Sequence, residues 1–160
     1  MAIGETAIEA VQKARHFSLS EWPDTDVLNG VSPEVIALLD DTRSACGIGL
    51  RPSRHPRAWI RDGDGSSRHY AGEAGDFFPV RNPVHVWLTM IQIGWGGIGI
   101  YSDTHWDGKP AIKLHGDIRP LRRGRPTLWA RTQAHGMISE ARTPGAFWSV
   151  IGEISEGAFP

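Results

Sequence analysis

"GGIGIYSDTHWDGKPAIKLHGDIRP", residues 96–120, reads as two strands around a reversal. GGIGIYS (96–102) and AIKLHGDIRP (111–120) carry the apolar residues, and the polar segment between them holds Asp107-Gly108, a dipeptide that favours a tight turn. His115 stands in the second strand among apolar neighbours, where an imidazole needs a reason to be buried.

Upstream of this hairpin, residues 5–15 (ETAIEAVQKAR) are good helix formers with Ile8, Val11 and Ala14 at helical spacing. SPEVIALLDDTRSACG predicts a second helix, capped by Ser32, with Pro33 in its first turn, a stripe of Val35, Ile36, Leu38 and Leu39, and Gly47 as a stop. A short strand over Ile48–Leu50 and a long loop follow, then a buried strand, AGDFFPV (74–80). NPVHVWLTMIQIG (82–94) predicts a helix with Asn82 as its cap and Pro83 in its first turn. TLWART (127–132) and FWSVIGEIS (147–155) are compatible with strand or helix. Helices followed by mixed strands and a helix indicate the α+β class.

The 160 residues, 40% of them hydrophobic, suit one domain with a core. A net charge of −1 argues against a nucleic-acid or membrane-surface partner. The local exception, RPLRRGR (119–125), reads as a solvated basic loop, with a patch for an anionic polymer as the alternative. Cys46 is the single cysteine, which excludes an intramolecular disulfide and a cysteine-based zinc knuckle. The N-terminal segment shows neither a Sec-type signal nor a membrane span, so synthesis in a cytoplasm without membrane insertion is expected.

The run GSSRHYAGEAGDFFP (65–79) places His69 seven residues before Asp76. Imidazole and carboxylate are zinc ligands, and a catalytic zinc keeps one position open for water. His115 is the best placed of the remaining histidines to be a third ligand, because alternate residues of neighbouring strands share a face. The small residues Gly72 and Ala74 would let backbone and metal approach closely.

SSRHYAGEAGD resembles the S-x-H-x-x-G-x-A-x-D motif of the zinc D-alanyl-D-alanine carboxypeptidase family, whose fold is shared with the hedgehog signalling domain. Residues 96–120 are similar to that family's glycine-rich strand ending in tyrosine, followed by a strand bearing H-x-D-x-R. Trp129, after an arginine-rich turn, and HFSLSEW at 16–22 resemble the branch found in phage lysis proteins and small bacterial peptidases. The likeness spans residues 16–131 and implies a small, mainly antiparallel sheet with flanking helices.

It also implies one zinc ion bound by His69, Asp76 and His115, supported by Ser67 through hydrogen bonding. Arg54 or Arg57, in the loop before the motif, would hold the substrate and the developing oxyanion. Many members carry an acidic general base three residues before the last histidine; here that position is Ile112. The H-x-D branch has instead an acid two residues after it, Asp117, which would either take the proton of the attacking water or orient His115. His105 and Asp107 are alternative proton carriers. Trp59, Trp95, Trp106 and His105 would flank the cleft, and Glu73 is expected to be solvated.

The expected activity is hydrolysis of an amide in a peptidoglycan stem peptide or cross-link, by a phage-type lytic enzyme that reaches the wall after release or as part of a virion. Ile112 keeps a second reading open, a module that retains zinc without turnover; a metal-free domain is the third.

Overall fold

The computed structural model describes residues 5–61 and 65–157. In chain order the elements are α1 (Ala7–Lys13), α2 (Thr25–Asn29), α3 (Pro33–Cys46), β1 (Leu50–Pro52), β2 (Ala74–Pro79), α4 (Pro83–Ile93), β3 (Gly97–Trp106), β4 (Lys109–Asp117), β5 (Thr127–Thr132), β6 (Gly136–Ser139) and α5 (Pro144–Ser155). The strands form one six-stranded sheet in the order β1-β2-β4-β3-β5-β6. Every neighbouring pair is antiparallel except β3 and β5. The class is α+β, with a mostly antiparallel sheet flanked by helices.

Local chemistry sets the boundaries. Thr6 and Glu9 form a reciprocal capping box, so α1 begins later than the 5–15 pattern suggests and ends before an extended Ala14. Ser32 caps α3 by accepting from the Glu34 amide at 3.3 Å, and Gly47 closes it in the left-handed region at φ 64°. Asn82 is the N-cap residue of α4 with Pro83 in the first turn, as expected, but its backbone is left-handed, φ 45°, and its side chain makes no capping hydrogen bond. The first strand is Leu50–Pro52 rather than Ile48–Leu50, because pairing with β2 begins at Leu50 opposite Pro79.

The hairpin reversal is shorter than the polar segment that announces it. Asp107 (φ 49°) and Gly108 (φ 75°) alone form the turn, both left-handed as a type I′ reversal requires. Thr104, His105 and Trp106 pair across to Ala111, Pro110 and Lys109 after an irregularity between Tyr101 and Thr104. TLWART is β5, and FWSVIGEIS lies within α5, where Phe147, Val150, Ile151 and Ile154 fall on one buried face.

Alternation divides the sheet into a core face and a site face. Phe77, Leu114, Ile98, Ile100 and Ala130 point into the core with Trp87, Met90 and Phe147. Gly116 belongs to the same face, where a Cβ would collide with Trp95 and Met90. Asp76, His115, Tyr101 and Trp129 point the other way. The crossover after β4 passes over Gly96 so tightly that a Cβ there would overlap the Arg119 carbonyl. Among the described residues, no helix is long and apolar enough to cross a membrane.

Candidate metal centre

Sheet register builds most of the site. Asp76 on β2 lies opposite His115 on β4, His115 opposite Gly99 on β3, and Gly99 opposite Trp129 on β5. These residues form one row across four strands, so their side chains project from a single face. Gly99 leaves space in that row for the Trp129 indole, which a Cβ at 99 would strike. The indole comes to 5.2 Å from the His115 ring and donates to the Tyr101 hydroxyl at 2.8 Å.

His69 arrives from outside the sheet, on the 3-10 turn Arg68–Ala71. Gly72, at φ 66°, turns the chain from there into β2, against the Gly30 carbonyl where no Cβ would fit. His69 Nε2 lies 3.1 Å from His115 Nδ1 and 3.5 Å from Asp76 Oδ1; His115 Nδ1 and Asp76 Oδ1 are 2.9 Å apart. All three residues are buried, and their ligand atoms converge so that they can hold a metal ion. Tetrahedral coordination with bonds of about 2.0–2.1 Å puts ligand atoms roughly 3.3 Å apart, so the donor set and its spacing fit such an ion.

Neighbouring charges tune these groups. Burial would raise the Asp76 carboxyl, yet hydrogen bonds with His115 and His69 and the nearby Lys113 charge hold it well below the usual carboxylate range. Lys113 donates to Asp76 Oδ2 at 2.7 Å, which ties up the oxygen not facing the imidazoles. Burial would lower His115, but its contacts with Asp117 and Asp76 prevail and raise it. Burial lowers His69, whose Nδ1 is buried without a hydrogen-bond partner among the described residues. Burial pushes the Tyr101 phenol up to about 12, so it remains a neutral hydroxyl.

Asp117 stands behind His115. Its Oδ2 is 3.2 Å from His115 Nε2, the nitrogen turned away from Asp76, and Arg119 donates to Oδ1 at 2.7 Å. It lines neither of the cavities that adjoin Asp76. Ile112, three residues before His115, packs partly buried against the core.

Two cavities meet at Asp76. The first, about 690 Å³, contains His69, His115, Tyr101 and Trp129; the second, about 640 Å³, contains Ser53, Arg57, Asp103 and His105. Both are lined by Arg61, Asp76 and Lys113. Ser67 lines the first, but it takes no part in the hydrogen bonds linking His69, Asp76, His115, Lys113 and Asp117.

Other expected site residues lie elsewhere. Trp59 is a core residue, 1% exposed, with Nε1 donating to the Ser53 carbonyl at 2.7 Å and its ring against Trp22 and Gly75. It therefore lies on the face of β2 opposite Asp76. Trp95 is also internal and donates to the Thr42 hydroxyl at 2.9 Å. Trp106 packs on Phe78 at the far end of the hairpin, flanked by Arg51 and Arg54. Arg54 lines neither cavity adjoining Asp76, and Arg57 lines only the second. Asp107 sits in a groove with Trp106, and Glu73 pairs with Arg68 at 2.7 Å.

Arg61 lines both cavities, and its amide donates to the His69 carbonyl at 3.1 Å. Tyr101 and Arg119 lie in the motif of residues 96–120 without an assigned role, and the sequence reading does not single out Arg61 or Lys113. Period-two alternation from His115 reaches Lys113, and Arg119 is the last residue of the H-x-D-x-R pattern; no comparable signal marks Arg61. Comparison of the chain with protein-family models, curated proteins and solved structures finds no match.

Proposed function

We propose that the chain is a zinc-dependent peptidase acting on peptidoglycan stem peptides or cross-links. The observation that carries this reading is the convergence of His69 Nε2, Asp76 Oδ1 and His115 Nδ1 beside an open cavity. Two imidazoles and one carboxylate make the three-ligand set of a catalytic zinc site, where the fourth position belongs to water or substrate. The motif resemblance supplies the substrate class, a peptide containing D-amino acids, and a setting at the cell wall. Zinc bound there would polarise the peptide carbonyl and lower the pKa of the attacking water.

The chain's own groups have separable tasks. Lys113 occupies Asp76 Oδ2 and leaves Oδ1 directed at the imidazoles. Asp117, fixed by Arg119, holds His115 by Nε2 and so presents Nδ1; it is a positioning residue in this scheme. Arg61, shared by both cavities, is placed to hold a carbonyl or carboxylate oxygen of the substrate. His105 is exposed and lines the second cavity with Asp103, but it pairs opposite Pro110, well along β4 from His115 and outside hydrogen-bond reach of the centre.

The direct test is mass spectrometry of purified peptidoglycan fragments after incubation, with and without a zinc chelator. Products that disappear with chelator support the proposal, and their masses name the bond. Products unaffected by chelator would overturn it.

A second reading, a metal-holding module without turnover, is favoured by Ile112 and by Asp76 being the only carboxylate among the described residues that line the first cavity. Muropeptide binding by a zinc-loaded protein that releases no product from any wall chemistry would select that reading.

A further inference from the structure

The two cavities that meet at Asp76 differ sharply in charge. Among the described residues, seven arginine and lysine side chains line the first, against one carboxylate, Asp76. Among those lining the second, three cations face two carboxylates. This excess sits on a chain whose net charge is −1.

Part of it is neutralised locally. Arg68 pairs with Glu73, Arg119 with Asp117, Arg131 with Asp103 and Lys113 with Asp76. Arg122 and Arg142 are exposed and have no carboxylate partner among the described residues, yet both line the first cavity. Arg122 is carried by a built turn: its backbone exchanges hydrogen bonds of 2.9 and 3.0 Å with Arg125, across Arg123 (φ 52°) and Gly124 (φ 74°). Arg142 is held by its amide to the Ser139 carbonyl, beyond the end of β6. The basic segment 119–125 is therefore partly a wall of the cavity.

A guanidinium fork matches a carboxylate in geometry and charge, and a cavity lined by one sign concentrates the opposite sign. Resting on the peptidase reading above, we propose that the part of the substrate entering the first cavity is an acidic peptide segment with at least two free carboxylates, met by Arg122 and Arg142. The less charged part lies in the second cavity, so the charge difference also sets the direction in which the peptide crosses the metal centre. Stem peptides with free carboxylates are then preferred over the same peptides amidated at those positions.

The test compares a synthetic acidic stem peptide with its carboxamide counterpart, measuring binding to the zinc-loaded protein by calorimetry and cleavage by mass spectrometry. The acidic form is expected to bind about tenfold or more tightly, with the preference shrinking as salt is raised from about 50 to 200 mM. Arg122→Gln and Arg142→Gln each reduce that preference severalfold, whereas Arg125→Gln, in the same turn but not lining the cavity, leaves it intact. Equal binding of the two forms, or binding of neither, overturns the proposal. Preferential binding without cleavage sustains this ligand class and sinks the peptidase reading; equal cleavage and equal binding do the reverse.

Discussion

The candidate centre is assembled from two unequal halves, one on strands and one on loops. Asp76, His115 and Asp117 belong to β2 and β4, and both imidazole nitrogens of His115 are engaged, by Asp76 on one side and Asp117 on the other. His69 comes from a four-residue turn, and only one of its ring nitrogens has a partner among the described residues. Backbone ladders fix strand residues to within a register, whereas a turn residue is placed by whatever packs around it. The strand half therefore holds its geometry by itself. The turn half completes the site through His69 Nε2 alone.

Alanine substitution of the two histidines is the strongest way to break this contrast. Both changes are expected to abolish zinc binding, measured as bound metal per chain. In the metal-free protein they should part: His115→Ala strips Asp76 and Asp117 of a shared partner and costs on the order of 3 kcal/mol. His69→Ala should cost about 1 kcal/mol or less. Chemical denaturation in chelator reads the difference, and equal losses would refute the division.

Asp117→Asn tests the strand half alone. Loss of the negative charge behind His115 should weaken zinc about 10–100-fold while leaving one site at saturation, read by competition with a metal indicator. Unchanged affinity would remove Asp117 from the site.

Arg61→Ala and Arg54→Ala test the loop half. In zinc-loaded protein the first should lower turnover about tenfold or more and the second leave it unaltered, since only Arg61 adjoins both cavities. The opposite ranking would return the substrate-holding role to the outer loop.

A smaller effect is expected from pH in the metal-free protein. Burial works against ionisation of Asp76 and Asp117, yet their partners hold both carboxyls below the usual range. Their contribution is complete above the unfolded carboxylate value of about 3.9 and is lost as pH falls through the lower folded values. Acid unfolding of Asp117→Asn should therefore depend less steeply on pH than that of the parent chain.

The same division explains what could be read in advance. On the strands, alternation and the Asp107-Gly108 turn locate β3, β4 and the shared face of Asp76 and His115 from the sequence. The polar reach from Asp103 to Pro110 concealed how far the ladder continues, because Thr104 and His105 pair through backbone and not through apolar side chains. In β5 the run TLWART carries no period that separates a strand from a helix, and its parallel place beside β3 depends on a crossover over Gly96. The loop residues were the least legible. Trp59 is drawn under β2 by the space that Gly75 leaves, and Arg61 rather than Arg54 lines both cavities because the turn Pro56–Ala58 and the Arg61–His69 backbone bond fold that segment inward.

Zinc titration of the metal-free protein, followed by calorimetry and thermal unfolding, tests the central claim most directly. One equivalent bound by His69, Asp76 and His115 should raise the unfolding temperature, and His69→Ala should abolish both binding and the rise. A parent chain that binds no zinc, or that binds it equally well without His69, would contradict the metal centre and the peptidase built on it.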